Sequence, residues 1–212
     1  MSRIARYKAV LWLILCAPLF VLGYRIWIEI GNPGAALGAD PGEAVVHFLG
    51  EWALVAVLIA FSVSPFRQLF INWSWTKPWL GYLLARSRRL VGLFAFFYVT
   101  LHLLAYVAFY LQFSLEALWL DIVERAYITA GMAAFAALVV MAITSTRGWQ
   151  RRLKQTWQKL HKLIYAVVAL AIIHLWWLTR DDFTDVVIYA SWFVFLLVWR
   201  WRLATTRQHS FV

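Results

Sequence analysis

The sequence predicts an all-α integral membrane protein, a six-transmembrane helix bundle with its N- and C-termini on the cytoplasmic side. Three observations predict it. Of the 212 residues, 64% are hydrophobic and only 14% charged, a balance far more apolar than that of a soluble domain. The apolar residues are gathered into charge-free runs, Ala9–Tyr24, Trp52–Phe66, Leu90–Leu115, Ala126–Thr146, Leu163–Thr179 and Val186–Trp199, close to the roughly 17–25 residues that a helix needs to cross a bilayer. The basic residues fall in alternate connections, as the positive-inside rule requires.

Taken in order, spans are expected over about 9–28, 44–66, 90–112, 126–146, 161–179 and 186–202, within a single domain covering residues 1–212. The first run needs Ile26–Ile28 beyond Arg25, the second needs Ala44–Gly50 ahead of Glu51, and the sixth reaches full length only if flanking side chains snorkel. Arg3, Arg6 and Lys8 resemble the start of a signal peptide, but no small-residue cleavage site follows, so the first run is read as a retained helix. Gly31–Gly42 mixes glycine with Pro33 and Pro41 and reads as a turn-rich outer loop. The longer inner connection Arg67–Arg89 carries Trp73, Trp75, Lys77, Pro78 and Trp79, which suits a segment at head-group level and a docking surface. Gly148–Lys162 and the tail Ala204–Val212 are too short to fold as domains.

All but three of the 20 basic residues lie in the N-terminal segment, in the connections 67–89 and 147–162, or after residue 199, with no acidic residue among them. The exceptions, Arg25, Arg125 and Arg180, share the opposite side with Glu29, Asp40, Glu43, Glu116, Asp121, Glu124, Asp181, Asp182 and Asp185. The basic side is therefore the cytoplasmic one. Topology accounts for the net charge of +10 without a nucleic-acid partner, although the basic loops suit anionic membrane lipid or an acidic cytoplasmic protein. Cys16 is the sole cysteine, which removes internal disulfides, thiolate clusters and the paired-cysteine attachment of a c-type haem. No glycine-rich dinucleotide fingerprint and no P-loop occurs.

Ionisable groups at membrane depth are costly and point to function. Here they are His102, His161, His174 and Glu51, with His47 near the outer end of the second span and His209 in the tail. His102 lies ~18 Å into the third span from its cytoplasmic end and His174 ~21 Å into the fifth, which runs the same way. The two share a depth in the outer half of the bilayer. Imidazoles from two facing helices can supply both axial ligands of a low-spin haem; the plainer reading of either histidine is a hydrogen bond to a neighbouring helix. His161 lies ~20 Å below His174 and points ~220° away on an ideal helix. It would serve a second, inner haem, but the partner position on the third span is filled by Arg88 and Arg89, which suit haem propionates or a flavin phosphate, or simply anchor at the interface. Glu51 is either a proton-handling carboxylate or an acid near the outer interface. The 14 tryptophans read mainly as belt and packing residues.

With these residues in place, the sequence resembles the MsrQ (YedZ) family of haem-binding membrane subunits, within the ferric-reductase-like transmembrane group. The resemblance covers nearly the whole chain. It rests on LGADP at Leu37–Pro41 followed by His47, Phe48 and Gly50; on RSRRLVGLFAF at Arg86–Phe96 leading to TLH at Thr100–His102; on RAYITAG at Arg125–Gly131; on ITST at Ile143–Thr146; and on WQKLHKLIY at Trp157–Tyr165 with Ile173-His174. It implies a b-type cytochrome in the bacterial inner membrane, with haem b, with His102, His161 and His174 as candidate iron ligands, and with FMN at the cytoplasmic side. It also implies electrons arriving from a cytosolic flavin reductase or quinol and leaving to MsrP, a periplasmic molybdopterin enzyme that reduces methionine sulfoxide in oxidised envelope proteins. Related two-haem ferric reductases and NADPH oxidases carry a histidine where this chain has Arg88, and they carry their own dinucleotide domain.

Two other function classes fit the same residues. One is a membrane reductase acting directly on ferric iron or another metal. The other is a small transporter or scaffold whose histidines only pack or relay protons, although the sequence carries no pair of interrupted spans or inverted repeat of the transporter kind.

Overall fold

The computed structural model describes the backbone of residues 3–72 and 78–209 and the side chains of residues 6–68 and 87–203. The described residues form helices and short turns: α1 (Arg3–Gly31), α2 (Pro41–Asn72), α3 (Pro78–Phe109), α4 (Leu115–Glu124), α5 (Ala126–Ile143), α6 (Arg147–Leu160), α7 (Leu163–Leu178) and α8 (Thr184–His209).

Five segments are long and apolar enough to cross a membrane, Arg6–Gly31, Pro41–Gln68, Ser87–Phe109, Ala126–Ile143 and Thr184–Leu203. The α6–α7 pair reaches that standard only jointly, bent by 49° at its break. Arg147, Arg151, Arg152, Lys154 and Lys159 lie on α6 with no acid beside them, so the apolar part of the pair is the 16-residue α7. The molecule is an all-helical, multi-pass membrane protein. Its surface agrees: Leu13, Phe20 and Trp27 on α1, and Val187, Ile188 and Trp201 on α8, are exposed, as side chains facing lipid must be.

The element boundaries differ from the sequence expectation at several places. The inner connection expected over Arg67–Arg89 is largely helical, because α2 runs on to Asn72 and α3 begins at Pro78, where a proline suits the first helical position. Trp73, Trp75 and Lys77 lie outside the described residues, as do the side chains of Trp79 and His209. Two helices were not expected at all. The short α4 starts at Ser114, whose hydroxyl accepts from Ala117 N–H at 3.2 Å, and α6 starts at Thr146, whose hydroxyl accepts from Trp149 N–H at 3.4 Å. Both are capped helices, but α4 is short and α6 strongly polar, so neither reads as a span. The fourth span stops at Ile143 rather than 146, and the fifth begins at Leu163, beyond His161.

The loop after α1 is ordered by one carboxylate. Glu29 accepts from the backbone N–H groups of Gly34, Ala36 and Leu37, while Arg25 donates to Ala36 O at 2.7 Å. Gly34 and Gly38 take positive φ values of 85° and 80°, a turn that other residues resist. Asp40 then caps α2 by accepting from Glu43 N–H at 2.9 Å.

Two closely packed helix pairs, α2 with α3 and α5 with α7, form the centre of the bundle, joined by contacts of α3 with α5 and of α2 with α7. The most deeply buried side chains lie along these seams: Val57 and Phe61 on α2, Tyr98 on α3, Val167 and Val168 on α7, and Leu196 on α8. Tyr98 donates its hydroxyl to Leu15 O at 2.7 Å, fastening α1 to α3. On the far side, Trp192 of α8 donates to the Ser62 hydroxyl of α2 at 3.1 Å.

Candidate functional site

Each central helix pair turns one histidine toward the other pair. His102 projects from α3 and His174 from α7, and their ring centroids lie 6.4 Å apart with the planes inclined at 79°. His102 Nδ1 donates to Val46 O at 3.0 Å, and His174 Nδ1 donates to Tyr127 O at 2.6 Å. A carbonyl can only accept, so each ring holds its proton on Nδ1 and leaves the Nε2 lone pair bare. The depth match expected from the sequence thus becomes a facing pair.

Glycines permit both approaches. A Cβ at Gly50 would lie 2.9 Å from His102 Cε1, and one at Gly131 would lie 2.9 Å from His174 Nδ1. Gly50 follows Val46 by one helical turn, and Gly131 follows Tyr127 in the same way. Gly50, Tyr127 and Gly131 were present in the sequence only as letters of longer motifs, and Val46 was in none of them. Their one visible signal was a glycine inside an apolar helical run, where a packing or functional reason is usual.

Both histidines line a cavity of about 420 Å³, within the range of ligand pockets. Its walls are mainly apolar, including Leu54, Val99, Phe135 and Leu138. Polar groups gather toward one end, where α2, α5 and α8 begin and α3 stops: Glu43, His47, Tyr110, Arg125 and Asp185. Tyr106 donates its hydroxyl to the Asp121 carboxylate, and Asp121 also pairs with Arg125 Nε at 3.1 Å. Arg125 is the one lysine or arginine among the described residues lining this cavity. Glu51 also lines it and is hydrogen-bonded to Tyr189, whereas His47 lies 3.7 Å from Glu43 in an exposed pair.

His161 is elsewhere. It ends α6 at the bend before α7, so the ideal-helix angle of ~220° to His174 has no meaning here, because the chain between them is not one continuous helix. Its ring stacks on Trp157 at 4.0 Å and its Nδ1 faces Trp157 O at 3.1 Å. Its Nε2 is buried without a partner. Arg88 and Arg89 are exposed on α3 and lie outside the His102–His174 cavity, with Arg88 in electrostatic reach of His161, Arg67 and Arg200. Arg200, a residue the sequence offered no reason to select, stacks over Phe61 at 4.0 Å and donates to Phe61 O and, at 2.8 Å, to Tyr165. Its Nε is also buried without a partner.

A protein-family profile described as "Ferric reductase like transmembrane component" matches residues 49–172. Over 199 residues the chain is 42% identical to the protein-methionine-sulfoxide reductase heme-binding subunit MsrQ of Xanthomonas campestris pv. campestris, covering 92% of this chain and 87% of that one. The chain belongs to the MsrQ family of ferric-reductase-like transmembrane proteins. A second family member, named as the same subunit in Rhodospirillum rubrum, is 42% identical over 186 residues, 87% of this chain and 85% of its own. A third, from Xanthomonas oryzae pv. oryzae, is 40% identical over 193 residues. The stretch matched by the family profile holds Gly50, His102, Tyr127 and Gly131; Val46 lies three residues before it, and it ends two residues before His174.

Proposed function

We propose that this chain is a b-type cytochrome of the bacterial inner membrane, with a haem held between His102 and His174, that passes electrons to a periplasmic methionine sulfoxide reductase. The facing imidazoles carry the reading. With ring centroids 6.4 Å apart and each Nδ1 committed to a carbonyl, His102 and His174 would hold the haem iron through their Nε2 nitrogens. No cluster of three or more His, Cys, Asp or Glu side chains suited to a metal ion occurs among the described residues. A bare ion between two imidazoles would be short of ligands, whereas a porphyrin brings four of its own.

The chain's own groups would act as follows. Val46 O and Tyr127 O fix the tautomers that present Nε2 to the iron. The apolar cavity walls keep water from the ring, and Arg125 stands at the polar mouth as a cation for a propionate. When bound, haem supplies one-electron redox chemistry between the ferric and ferrous states.

The wider route extends this reading. The basic segments put both termini in the cytoplasm by the positive-inside rule, so electrons enter beside α6 and leave by the acidic outer face. The partner is a molybdopterin enzyme of the MsrP kind, in keeping with the reductase system in the relatives' names. The donor is a cytosolic flavin reductase or a quinol. On the inner side, the unpartnered Nε2 of His161 and the cations Arg88, Arg89 and Arg200 are the groups for FMN phosphate or for a second haem.

Vesicles containing the purified chain, with reduced flavin on the basic side and MsrP with a methionine-sulfoxide protein on the other, test this function. Reduction of the sulfoxide that depends on the chain is expected; a coloured chain that is reduced but never reoxidised by the partner would contradict the assignment of acceptor. The family description favours one other reading, a reductase acting directly on ferric iron. Reduction of a ferric chelate at the outer face without any protein partner would support that instead.

A further inference from the structure

We infer that Gly50 and Gly131 are positioning residues that clamp the two axial imidazoles against backbone carbonyls, holding their planes nearly perpendicular and setting the potential of the haem. The inference rests on the His102–His174 ligation proposed above. Its basis is a repeated geometry. On α2, the Val46 carbonyl receives His102 Nδ1 at 3.0 Å, and the residue one turn on is Gly50. On α5, the Tyr127 carbonyl receives His174 Nδ1 at 2.6 Å, and the residue one turn on is Gly131.

The spacing has a physical reason. A helical carbonyl already accepts from the N–H four residues ahead, and its second lone pair is flanked by that residue's side chain. Glycine there leaves the lone pair open to a ring from the neighbouring helix. A Cβ at position 50 would stand 2.9 Å from His102 Cε1 and 3.1 Å from its Nδ1; at position 131 it would stand 2.9 Å from His174 Nδ1 and 3.1 Å from its Cε1. Ordinary contacts between such atoms are about 3.5–4.0 Å. The obstructed atoms belong to rigid rings, so an added methyl must turn or push the imidazole and lengthen its bond to the carbonyl. Other helical glycines do not share this role: nothing lies within 4 Å of a Cβ built at Gly23 or Gly92.

Two properties of the haem follow. A hydrogen bond from Nδ1–H to a carbonyl makes the imidazole a stronger donor, which favours ferric over ferrous iron and lowers the potential. Ligand planes 79° apart act almost equally on the two iron d orbitals that overlap with imidazole, so the low-spin ferric state is strongly anisotropic in electron paramagnetic resonance.

The test uses the full chain in nanodiscs, with electron paramagnetic resonance of the ferric form and a redox titration. Wild type is expected to give one strongly anisotropic low-spin signal. Gly50→Ala and Gly131→Ala are expected to give a less anisotropic signal and a higher midpoint potential, while Gly92→Ala matches wild type. Wild-type spectra and potential in both alanine variants at 50 and 131 would overturn the inference. A second measurement does not depend on those variants folding. In His102→Ala supplied with external ligand, imidazole can donate to Val46 O but 1-methylimidazole cannot, so 1-methylimidazole should restore the low-spin spectrum at least about tenfold more weakly; equal rescue would overturn the clamp. A wild-type chain with haem but no bis-imidazole signal would instead sink the ligation reading, and this inference with it.

Discussion

His102 on α3 and His174 on α7 meet in the cavity between the two central helix pairs with ring centroids 6.4 Å apart, although 71 intervening positions separate them in the sequence. Each ring is turned by a carbonyl of a different neighbour, Val46 on α2 and Tyr127 on α5. Four helices therefore contribute to one pair of side chains, and disturbing any of them should be felt at the cavity.

His161 supplies a contrast. It stacks on Trp157 at the bend between α6 and α7 and does not line the cavity. His161→Ala is expected to leave the low-spin signal of the His102–His174 site unchanged while removing any absorbance or flavin retention that depends on the inner side. Loss of the His102–His174 signal in this variant, measured beside an unaltered thermal midpoint, would show that the two sites are not separate.

Arg200 joins three helices through Phe61 and Tyr165. Arg200→Lys keeps the charge but loses the planar stack and the forked donation. A loss of about 1–2 kcal/mol in stability is expected, since hydrogen bonds to charged groups contribute about 1.5–3 kcal/mol and lysine recovers part of that. Thermal unfolding in detergent measures it, and a midpoint equal to that of wild type would count against the role.

Tyr98 is almost wholly buried, at 2% exposure, and its hydroxyl reaches Leu15 O on α1. Tyr98→Phe keeps the ring packing and removes one neutral hydrogen bond, so about 0.5–1.5 kcal/mol of stability should be lost. The effect should appear as easier release of α1, read by protease cleavage between α1 and α2, without a change in the haem spectrum. A spectral change would mean that α1 helps to shape the cavity.

The spans were legible because lipid demands long apolar runs, and the apolar segments of α1, α2, α3, α5 and α8 match the expected ranges to within three residues at each end. The short α4 and the basic α6 were not: their start signals, Ser114 and Thr146, are single capping residues, followed in α4 by too few apolar residues to make a span and in α6 by a polar, basic stretch. His102 and His174 could be paired by depth along two parallel helices. His161 was drawn onto the wrong rotation because the bend beside it leaves no mark in hydropathy. The clamp was hidden for a different reason: two of its four parts are main-chain carbonyls, which no residue type announces, and the glycines beside them gain meaning only when the neighbouring helices are in place. Arg200 was masked by its likeness to the other basic residues flanking the spans.

The most direct test of the account is a pyridine haemochrome assay with an absorption spectrum on the purified full chain, wild type beside His102→Ala and His174→Ala. The account predicts b-type haem with a low-spin spectrum in wild type and loss of that spectrum in each variant. A colourless wild-type protein, or a low-spin spectrum unchanged in both variants, would contradict it.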